Sequence, residues 1–355
     1  MNLRAALLFA LASALAFTAC AKNDSLFIYV VDGPPLLSAA SLFYQQPQIV
    51  SGRDSRAVEY VTVANRGQLE AAIEMQRPDF AIAPVDFAAA TYKTSGDYVF
   101  GGITSWGLFH LVENVAHADS DGGLTPIGEL PGKTIYAFGM NTSPSLVLET
   151  VLAGFNLAIN RLEPGAVPRA DAVNIRYLES TVQVRDALMG NIAALDDARF
   201  GLLTEPLVTA LVNQPASPQN NHADFRRAVD LPAAWQELFG SGFPQTGIMV
   251  KASLAKSSPA LAAAGIALIA GAIDFTLQNP EEAARLAVDE LASAALPPRP
   301  VTAGFAAGAG QSAFTFQSAE ESREAVLRYL EIQNAGNPSG TGGTKIPAES
   351  FFFRP

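Results

Sequence analysis

The turn at residues 141–144 carries residue types that could bind an anionic or strongly polar group: Asn141, Thr142, Ser143 and Pro144. Ser143 suits the N-cap of a helix, and Pro144 suits the first helical position, where its missing N–H costs no hydrogen bond. The unpaired N–H groups of that first turn and the helix dipole would attract negative charge. The same residues would also serve as a plain helix cap without a ligand.

Further candidate residues directly follow stretches whose residue pattern predicts β-strands. In open α/β sheets, ligands bind in the crevice beyond the carboxyl ends of the strands. The sequence therefore predicts that ligand contacts come from these turns as well as from residues 141–143. These further candidates are Asp32, Gly33, Pro34, Pro84, Val85, Thr104, Ser105, Trp106, Thr204 and Glu205.

Several of these residues have an alternative role in the fold itself. Gly33 and Pro34 could form a rigid strand-to-helix turn, or they could let the backbone approach a ligand closely. Trp106 could stack on a flat ligand or belong to the core. Glu205 and Asp86 each stand at a predicted helix start, where an acidic side chain commonly pairs with the helix dipole.

The sequence offers little material for catalysis or metal binding. Its three histidines (His110, His117 and His222) are far apart, and its single cysteine is Cys20. His110 lies in an apolar strand and reads as a core histidine. The chain contains no Gly-x-Ser-x-Gly elbow, no Walker-type loop and no His-Glu-x-x-His pattern. We therefore predict a protein that is not an enzyme and that uses no metal and no other cofactor.

Composition excludes other classes of protein. The 355-residue chain has 23 Lys and Arg against 34 Asp and Glu, a formal net charge of −11. A nucleic-acid-binding protein needs a basic surface to neutralise phosphates, so this balance argues against nucleic acid as a partner. Apolar residues make up 49% of the chain, which fits a large core. At about 150 residues per domain, the length predicts two domains or two lobes of one fold.

Strand-like and helical segments alternate along the chain, which predicts mostly parallel sheets covered by helices, an α/β fold. The predicted strands are 25–31, 59–63, 80–84, 99–113, 133–138, 172–177, 200–203 and 246–251. The predicted helices are 36–43, 66–76, 85–91, 144–153, 181–189, 205–212, 259–277, 280–291 and 319–332.

The late strand at 246–251 returns the chain to its first half, so the chain would cross between two lobes twice. We predict these crossings near residues 111–113 and near residues 243–250. The predicted organisation is a first lobe of residues 20–113 with 244–335, a second lobe of residues 114–243, and a tail of residues 336–355. The tail ends in Phe351, Phe352 and Phe353, which we expect to dock on the body.

The apolar stretch at 259–277 could be mistaken for a transmembrane helix. It consists mostly of alanine and includes Gly265, Gly271 and Asp274. Alanine contributes little to membrane partition, so the composition favours a buried helix of a soluble domain.

The N-terminus has the pattern of an exported protein. One charge, Arg4, precedes an apolar and small-residue run that ends at Ala19, which is typical of a secretory signal peptide. The segment from Phe17 to Cys20 resembles a bacterial lipobox, although Phe17 stands where leucine is usual. This resemblance implies cleavage after residue 19, lipidation at Cys20 and a mature net charge of 22 − 34 = −12. The alternative is a signal peptide without lipidation.

Several stretches together resemble the type II periplasmic solute-binding proteins, in the branch that serves nitrate, taurine, alkanesulfonate and thiamine-precursor importers. The similarity extends over residues 25–291, and Thr204 replaces an aromatic residue that is usual in the branch. The chain also lacks the cysteine cluster of the thiamine-precursor enzymes, so the resemblance does not imply their activity. The stretches are Leu130-Pro131-Gly132-Lys133, Asn141-Thr142-Ser143-Pro144-Ser145, Ala187-Leu188-Met189-Gly190, Leu203-Thr204-Glu205-Pro206, the strand 246–251 and Asn279-Pro280-Glu281-Glu282.

The resemblance implies a two-lobed fold with a ligand cleft between the lobes. It further implies a monomer that captures a small polar or anionic solute and delivers it to an ABC permease. With Cys20 lipidated, such a protein would be anchored to a membrane and face the periplasm or the cell exterior. A sensor or interaction lipoprotein that is not coupled to transport is the alternative, motivated by Thr204 and by the Gly-rich tail.

Overall fold

The computed structural model of the chain describes residues 25–117, 126–163, 165–213, 224–343, 345 and 347–355. The predicted signal peptide (1–19) and the lipidation site Cys20 lie outside the described residues.

The described residues form an alternating series of strands and helices, close to the predicted series. The strands are β1 (Leu26–Val31), β2 (Ile49–Ser51), β3 (Asp54–Arg56), β4 (Val58–Val63), β5 (Phe80–Pro84), β6 (Tyr98–Trp106), β7 (Phe109–Asn114), β8 (Thr134–Phe138), β9 (Ile159–Arg161), β10 (Val173–Leu178), β11 (Phe200–Thr204), β12 (Phe225–Val229), β13 (Pro244–Lys251) and β14 (Gln317–Ser318). The helices are α1 (Pro34–Gln45), α2 (Arg66–Glu74), α3 (Val85–Ser95), α4 (Ser143–Gly154), α5 (Thr181–Leu188), α6 (Leu207–Val212), α7 (Leu231–Phe239), α8 (Ala252–Ser257), α9 (Pro259–Gln278), α10 (Pro280–Ala284), α11 (Arg299–Ala307), α12 (Gly310–Ala313) and α13 (Arg323–Gly336).

The strands form two six-stranded sheets and one small hairpin, β2–β3. The first sheet has the order β14-β6-β13-β5-β1-β4, and β1 pairs in parallel with both β4 and β5. The second sheet has the order β12-β7-β11-β8-β10-β9, with β8 parallel to both β10 and β11. Each sheet therefore has a parallel part that reaches one edge and an antiparallel part at the other edge, and helices cover both faces. The predicted α/β fold with two lobes is confirmed.

The chain passes between the sheets at two short segments. β6 belongs to the first sheet and β7 to the second, so the first connection is Gly107 and Leu108. The crossing predicted near residues 111–113 is wrong, because those residues pair with β11 inside the second sheet. The apolar run reads as one strand, but Gly107 breaks it with a φ of +39°, a conformation that favours glycine. The second connection is residues 240–243, between α7 and β13.

The two faces of the sheets are packed differently. On one face, α2, α3 and α13 of the first lobe and α4 and α7 of the second bury side chains in a single apolar cluster that spans both lobes. On the other face, α1 and α9 form a cluster with the first sheet, and α10–α12 form a further cluster with α1 and α9. Helices α5 and α6 form a separate cluster with the second sheet. We call these the joined face and the open face.

Helix α9 is long and apolar enough to meet the length and composition test for a membrane span. It packs against α1 and the first sheet, with Leu261, Ile266 and Ile269 buried. A side chain at Gly265 would collide with the ring of Phe80, so glycine permits this close approach. These contacts place α9 in the core of the first lobe, as the alanine-rich composition predicted.

The C-terminal residues pack on the first lobe. Phe351, Phe352 and Phe353 are buried, and the Phe351 ring stacks on Phe100 of β6 with centroids 5.3 Å apart. The backbone N–H of Phe353 donates to the carbonyl of Phe100 at 2.8 Å. The end of the chain thus completes the core beside β6.

Candidate functional site

A cavity of about 710 Å³ lies on the open face between the two lobes. It sits at the carboxyl ends of β1, β10 and β11, where the sequence predicts a ligand crevice. We call it the cleft cavity. Its lining comes from both lobes: Asp32, Gly33, Pro34, Ala294, Ala295, Leu296, Pro297 and Pro298 from the first, and Thr181, Val182, Arg185, Asp186, Met189, Asn191, Thr204, Glu205, Pro206, Leu207, Ala210 and Leu211 from the second.

Asp32 organises the first-lobe wall of the cleft cavity. Its carboxylate accepts hydrogen bonds from the backbone N–H of Gly33 at 2.7 Å and of Ala294 at 2.9 Å, and from the Ser293 hydroxyl. The N–H of Ala295 donates to it at 3.2 Å. The carboxylate therefore fixes the 293–295 turn, and Pro34 begins α1 beside it.

Glu205 forms part of the second-lobe wall and is buried in an ion pair. Its Oε1 accepts from Arg227 Nη2, and its Oε2 accepts from the backbone N–H of Thr209 at 3.0 Å. Its own N–H donates to the carbonyl of Leu108 in the first connection, at 2.8 Å. Glu205 thus links the end of β11 to the first connection, at Leu108. This contact is additional to the predicted pairing with a helix dipole. Thr204 is half-buried, and its hydroxyl donates to the Glu205 carbonyl at 3.3 Å.

The N-terminus of α5 supplies polar groups that the candidate residues did not include. Ser180 caps this helix by accepting from the N–H of Gln183, and Thr181 is its first residue. The buried Thr181 hydroxyl has no hydrogen-bond partner among the described residues, although it lines the cavity. Arg185 and Asp186 pair with each other at 2.7 Å. The rule that placed candidates after strands would have found Ser180 and Thr181, which follow the strand predicted at 172–177.

The turn at Asn141, Thr142 and Ser143 lies on the joined face, away from the cleft cavity. Thr142 is the N-cap, rather than Ser143 as predicted, and its side chain makes no capping hydrogen bond. The Thr142 hydroxyl donates to the Gly139 carbonyl instead, at 2.6 Å. Ser143 accepts from the Tyr329 hydroxyl at 2.9 Å, and the Asn141 carbonyl accepts from the Asn337 side chain at 2.7 Å. This turn joins α4 to the region around α13.

Pro84 and Val85 also lie near the joined face, at the start of α3. Val85 is fully buried in the apolar cluster. The next residue, Asp86, pairs with Arg66 at 3.2 Å, and its burial raises the pKa of its carboxyl despite this cation. The pKa of the Tyr329 hydroxyl is raised by its own burial and by the charge of Asp86.

Thr104, Ser105 and Trp106 end β6 but do not line the cleft cavity. The hydroxyls of Thr104 and Ser105 are buried and lie 2.8 Å and 2.6 Å from the hydroxyl of Thr246 on β13. Trp106 is half-buried, and its indole N–H donates to the Thr315 carbonyl at 2.9 Å. Trp106 lines a different cavity, described below, together with Glu205.

The arrangement in the cleft cavity is suited to holding a small molecule. Apolar side chains and prolines form most of the wall, and a few polar groups interrupt it, which is the usual composition of a small-molecule site. No group of three or more His, Cys, Asp or Glu side chains in the described part of the chain is placed to hold a metal ion.

Several solved structures have a similar fold, and some of them are described as ABC transport proteins. An ABC transporter protein from Parabacteroides distasonis matches with a TM-score of 0.67 and 18% identity, covering 93% of this chain and 98% of that one. The aliphatic sulphonate binding protein SsuA from Escherichia coli matches with a TM-score of 0.58 and 14% identity, covering 87% of each chain. A ligand-binding component of an ABC-type import system from Staphylococcus aureus, solved with zinc bound, has a TM-score of 0.57 and 12% identity, covering 94% and 97%.

At these identities the likeness concerns the fold. The chain has the two-lobed fold of the periplasmic binding proteins, including the alkanesulfonate-binding ones, as the sequence resemblance implied. No family model and no curated protein matches the sequence.

Proposed function

We propose that the protein captures a small solute in the cleft cavity and delivers it to an ABC importer. The observation that carries this proposal is the cavity of about 710 Å³, which both lobes line at the carboxyl edges of their sheets. A solute held there would contact both lobes, so binding would favour the closed arrangement. The chain connects the two lobes at Gly107–Leu108 and at residues 240–243, and the proposed closure would turn about these segments.

The proposed solute is small, and its polar end would meet the α5 N-terminus. The unpartnered Thr181 hydroxyl and the first N–H groups of α5 offer donors to a polar or anionic group. The apolar residues Leu207, Leu211 and Leu296 would enclose the rest of the molecule. The expected anion site at residues 141–143 is not part of this proposal, because that turn lies on the joined face.

Thermal unfolding with a panel of solutes tests the proposal. A ligand that binds only the folded protein raises its free energy of unfolding, by about 2.7 kcal/mol at a concentration of one hundred times Kd. Sulfonates, nitrate, carboxylates, pyrimidines and flavin-like compounds form the panel, and native mass spectrometry would identify a co-purified solute. We expect at least one compound to raise Tm.

A cavity-filling variant assigns that binding to the cleft cavity. Ala210 lines the cavity, so Ala210→Trp should abolish the rise in Tm. Ala267→Trp on the exposed side of α9 is the matched control and should retain it. A solute that still stabilises Ala210→Trp would refute this location.

We also propose that Cys20 carries a lipid that anchors a monomeric protein outside the cytoplasmic membrane. The lipobox-like segment ending at Cys20 supports this proposal. Labelling with a radioactive fatty acid should mark the wild-type protein, and Cys20→Ala should remain unlabelled and leave the membrane fraction. Equal labelling of both would refute it.

A further inference from the structure

A second cavity, of about 600 Å³, lies beside the first connection between the lobes. We call it the hinge cavity. Both lobes contribute to it, and Glu205 forms a wall that it shares with the cleft cavity. Its lining is Trp106, Gly107, His110, Glu205, Arg227, Asp230, Pro232, Ala233, Gln236, Gly242, Ala309, Ser312 and Ala313.

His110 is an unusual member of this lining. It is only 6% exposed, yet its Nδ1 has no hydrogen-bond partner among the described residues. The Asp230 Oδ1 lies 3.7 Å from this nitrogen, which is too far for a hydrogen bond. Burial lowers the pKa of His110 despite the neighbouring Glu205 and Asp230, so the imidazole is neutral near pH 7. A neutral imidazole can present a lone pair at Nδ1, and a buried polar atom without a partner is uncommon in folded proteins.

Among the side chains that line the cavity, one carboxylate has no cationic side chain paired with it. Arg227 donates to both Glu205 and Thr209, so the Arg227–Glu205 pair is close to neutral. Asp230 caps α7 by accepting from the N–H of Ala233 at 3.1 Å, and its side chain remains 57% exposed. With His110 neutral, the cavity carries a net charge of about −1 from these groups.

This arrangement matches a cationic hydrogen-bond donor. A single N–H-bearing nitrogen placed about 2.8 Å from both His110 Nδ1 and Asp230 Oδ1 can bridge their separation of 3.7 Å. The indole of Trp106 lines the same space, and aromatic rings attract cations. An anion would instead meet the Asp230 carboxylate.

We propose that the hinge cavity is a second binding site, which takes a small organic ammonium ion whose N–H groups donate to His110 Nδ1 and Asp230. This site is separate from the cleft cavity, and its existence does not depend on the solute bound there. Because residues of both lobes line it, an occupant would contact the two lobes at their connection.

Calorimetric titration of the purified protein with phenethylamine tests the site. The probe combines a primary ammonium with a ring that can contact Trp106, and 2-phenylethanol is its uncharged match. We expect measurable binding of the amine and binding at least about tenfold weaker for the alcohol, since a charge-assisted hydrogen bond is lost. No binding of the amine, or equal binding of both probes, would overturn the proposal.

Two variants locate the bound amine. Asp230→Asn keeps a side chain that caps helices equally well but removes the charge, so the fold should persist while Kd rises about tenfold or more. His110→Phe removes the acceptor and should weaken binding as well. Asp274→Asn, an exposed acid on α9, is the matched control and should bind as the wild type does.

The variants also supply outcomes that contradict the proposal. An unchanged Kd in both Asp230→Asn and His110→Phe would overturn it. So would loss of amine binding in Ala210→Trp, because that result would place the amine in the cleft cavity.

Discussion

The joined and open faces of the boundary between the lobes differ in how the lobes meet. On the joined face, Trp235 of α7 lies against both Phe243 and Tyr329, with ring centroids 5.5 Å and 6.2 Å away. Tyr329 in turn reaches Ser143 at the start of α4. On the open face, the apolar clusters of the two lobes stay separate and the cleft cavity lies between them.

This difference gives the two faces different roles in holding the lobes together. A continuous apolar cluster holds the lobes together through buried area, and separating them there would expose that area to water. Separating the lobes on the open face would expose less apolar area, because the clusters of the two lobes are separate there and the main contact across it is between α11 and α6. In the proposed function, the motion that admits a solute therefore widens the open face. The joined face and the two connections serve as its hinge.

The largest expected effect comes from breaking the joined face. Trp235 is 1% exposed, so Trp235→Ala should lower the free energy of unfolding by about 3–5 kcal/mol through lost burial and a cavity. Urea unfolding followed by circular dichroism measures this change. The other tryptophan, the half-buried Trp106, gives a matched control, and Trp106→Ala should cost clearly less. Equal losses in both variants would mean that the joined face has no special role.

A smaller effect is expected from loosening the wall of the open face. Asp32→Ala removes the acceptor that fixes the turn at Ala294 and Ala295, so we expect a loss of about 2 kcal/mol. Amide hydrogen exchange at those two residues should become faster. Asp54→Ala, which removes an exposed ion pair with Arg56, should change stability by less than about 0.5 kcal/mol. Unchanged exchange at Ala294 would count against the role given to Asp32.

The smallest expected effect concerns pH and the hinge cavity. Burial lowers the pKa of His110 in the folded protein. The charges of Glu205 and Asp230 raise this pKa in part, and the charge of Arg227 lowers it further. The unfolded chain therefore binds more protons below about pH 6.5, and the stability contributed by neutral His110 is present above that pH and lost as pH falls. Relative to pH 7.5, the wild type should lose about 1 kcal/mol more than His110→Phe at pH 5.5. The measurement is urea unfolding of both proteins at both pH values. An equal loss of unfolding free energy in the two proteins would contradict the prediction.

The sequence predicts the fold well where strands are apolar and helices begin with clear signals. β1, β5 and β8 and the helices α2 and α5 lie within a few residues of their predicted bounds. The strands β2, β3, β9 and β14 have only two or three residues each and are absent from the predicted series, because so few residues show no clear periodicity. β12 is also absent from it, because Arg226 and Arg227 interrupt its apolar pattern. The crossing near residues 111–113 was misplaced because both sides of Gly107 are apolar.

The candidate site was predicted only in part, for a physical reason. A residue at the carboxyl end of a strand can be recognised from the sequence, but the face of the sheet to which its turn leads cannot. Asp32 and Thr204 therefore lie at the cleft cavity, whereas Ser143 lies on the joined face beside Tyr329. The turn around Ala294 is held at the cavity by long-range hydrogen bonds to Asp32, which the sequence pattern does not reveal.

The position of the last three phenylalanines bears on the rate of folding. The first sheet contains β1, from the beginning of the described chain, and its β6 packs against Phe351, Phe352 and Phe353 at the very end. The second lobe, in contrast, is built from one continuous stretch of chain between the two connections. The core of the first lobe therefore joins residues far apart in sequence, as Phe100 and Phe353 are, and pairings of such long range form slowly during folding.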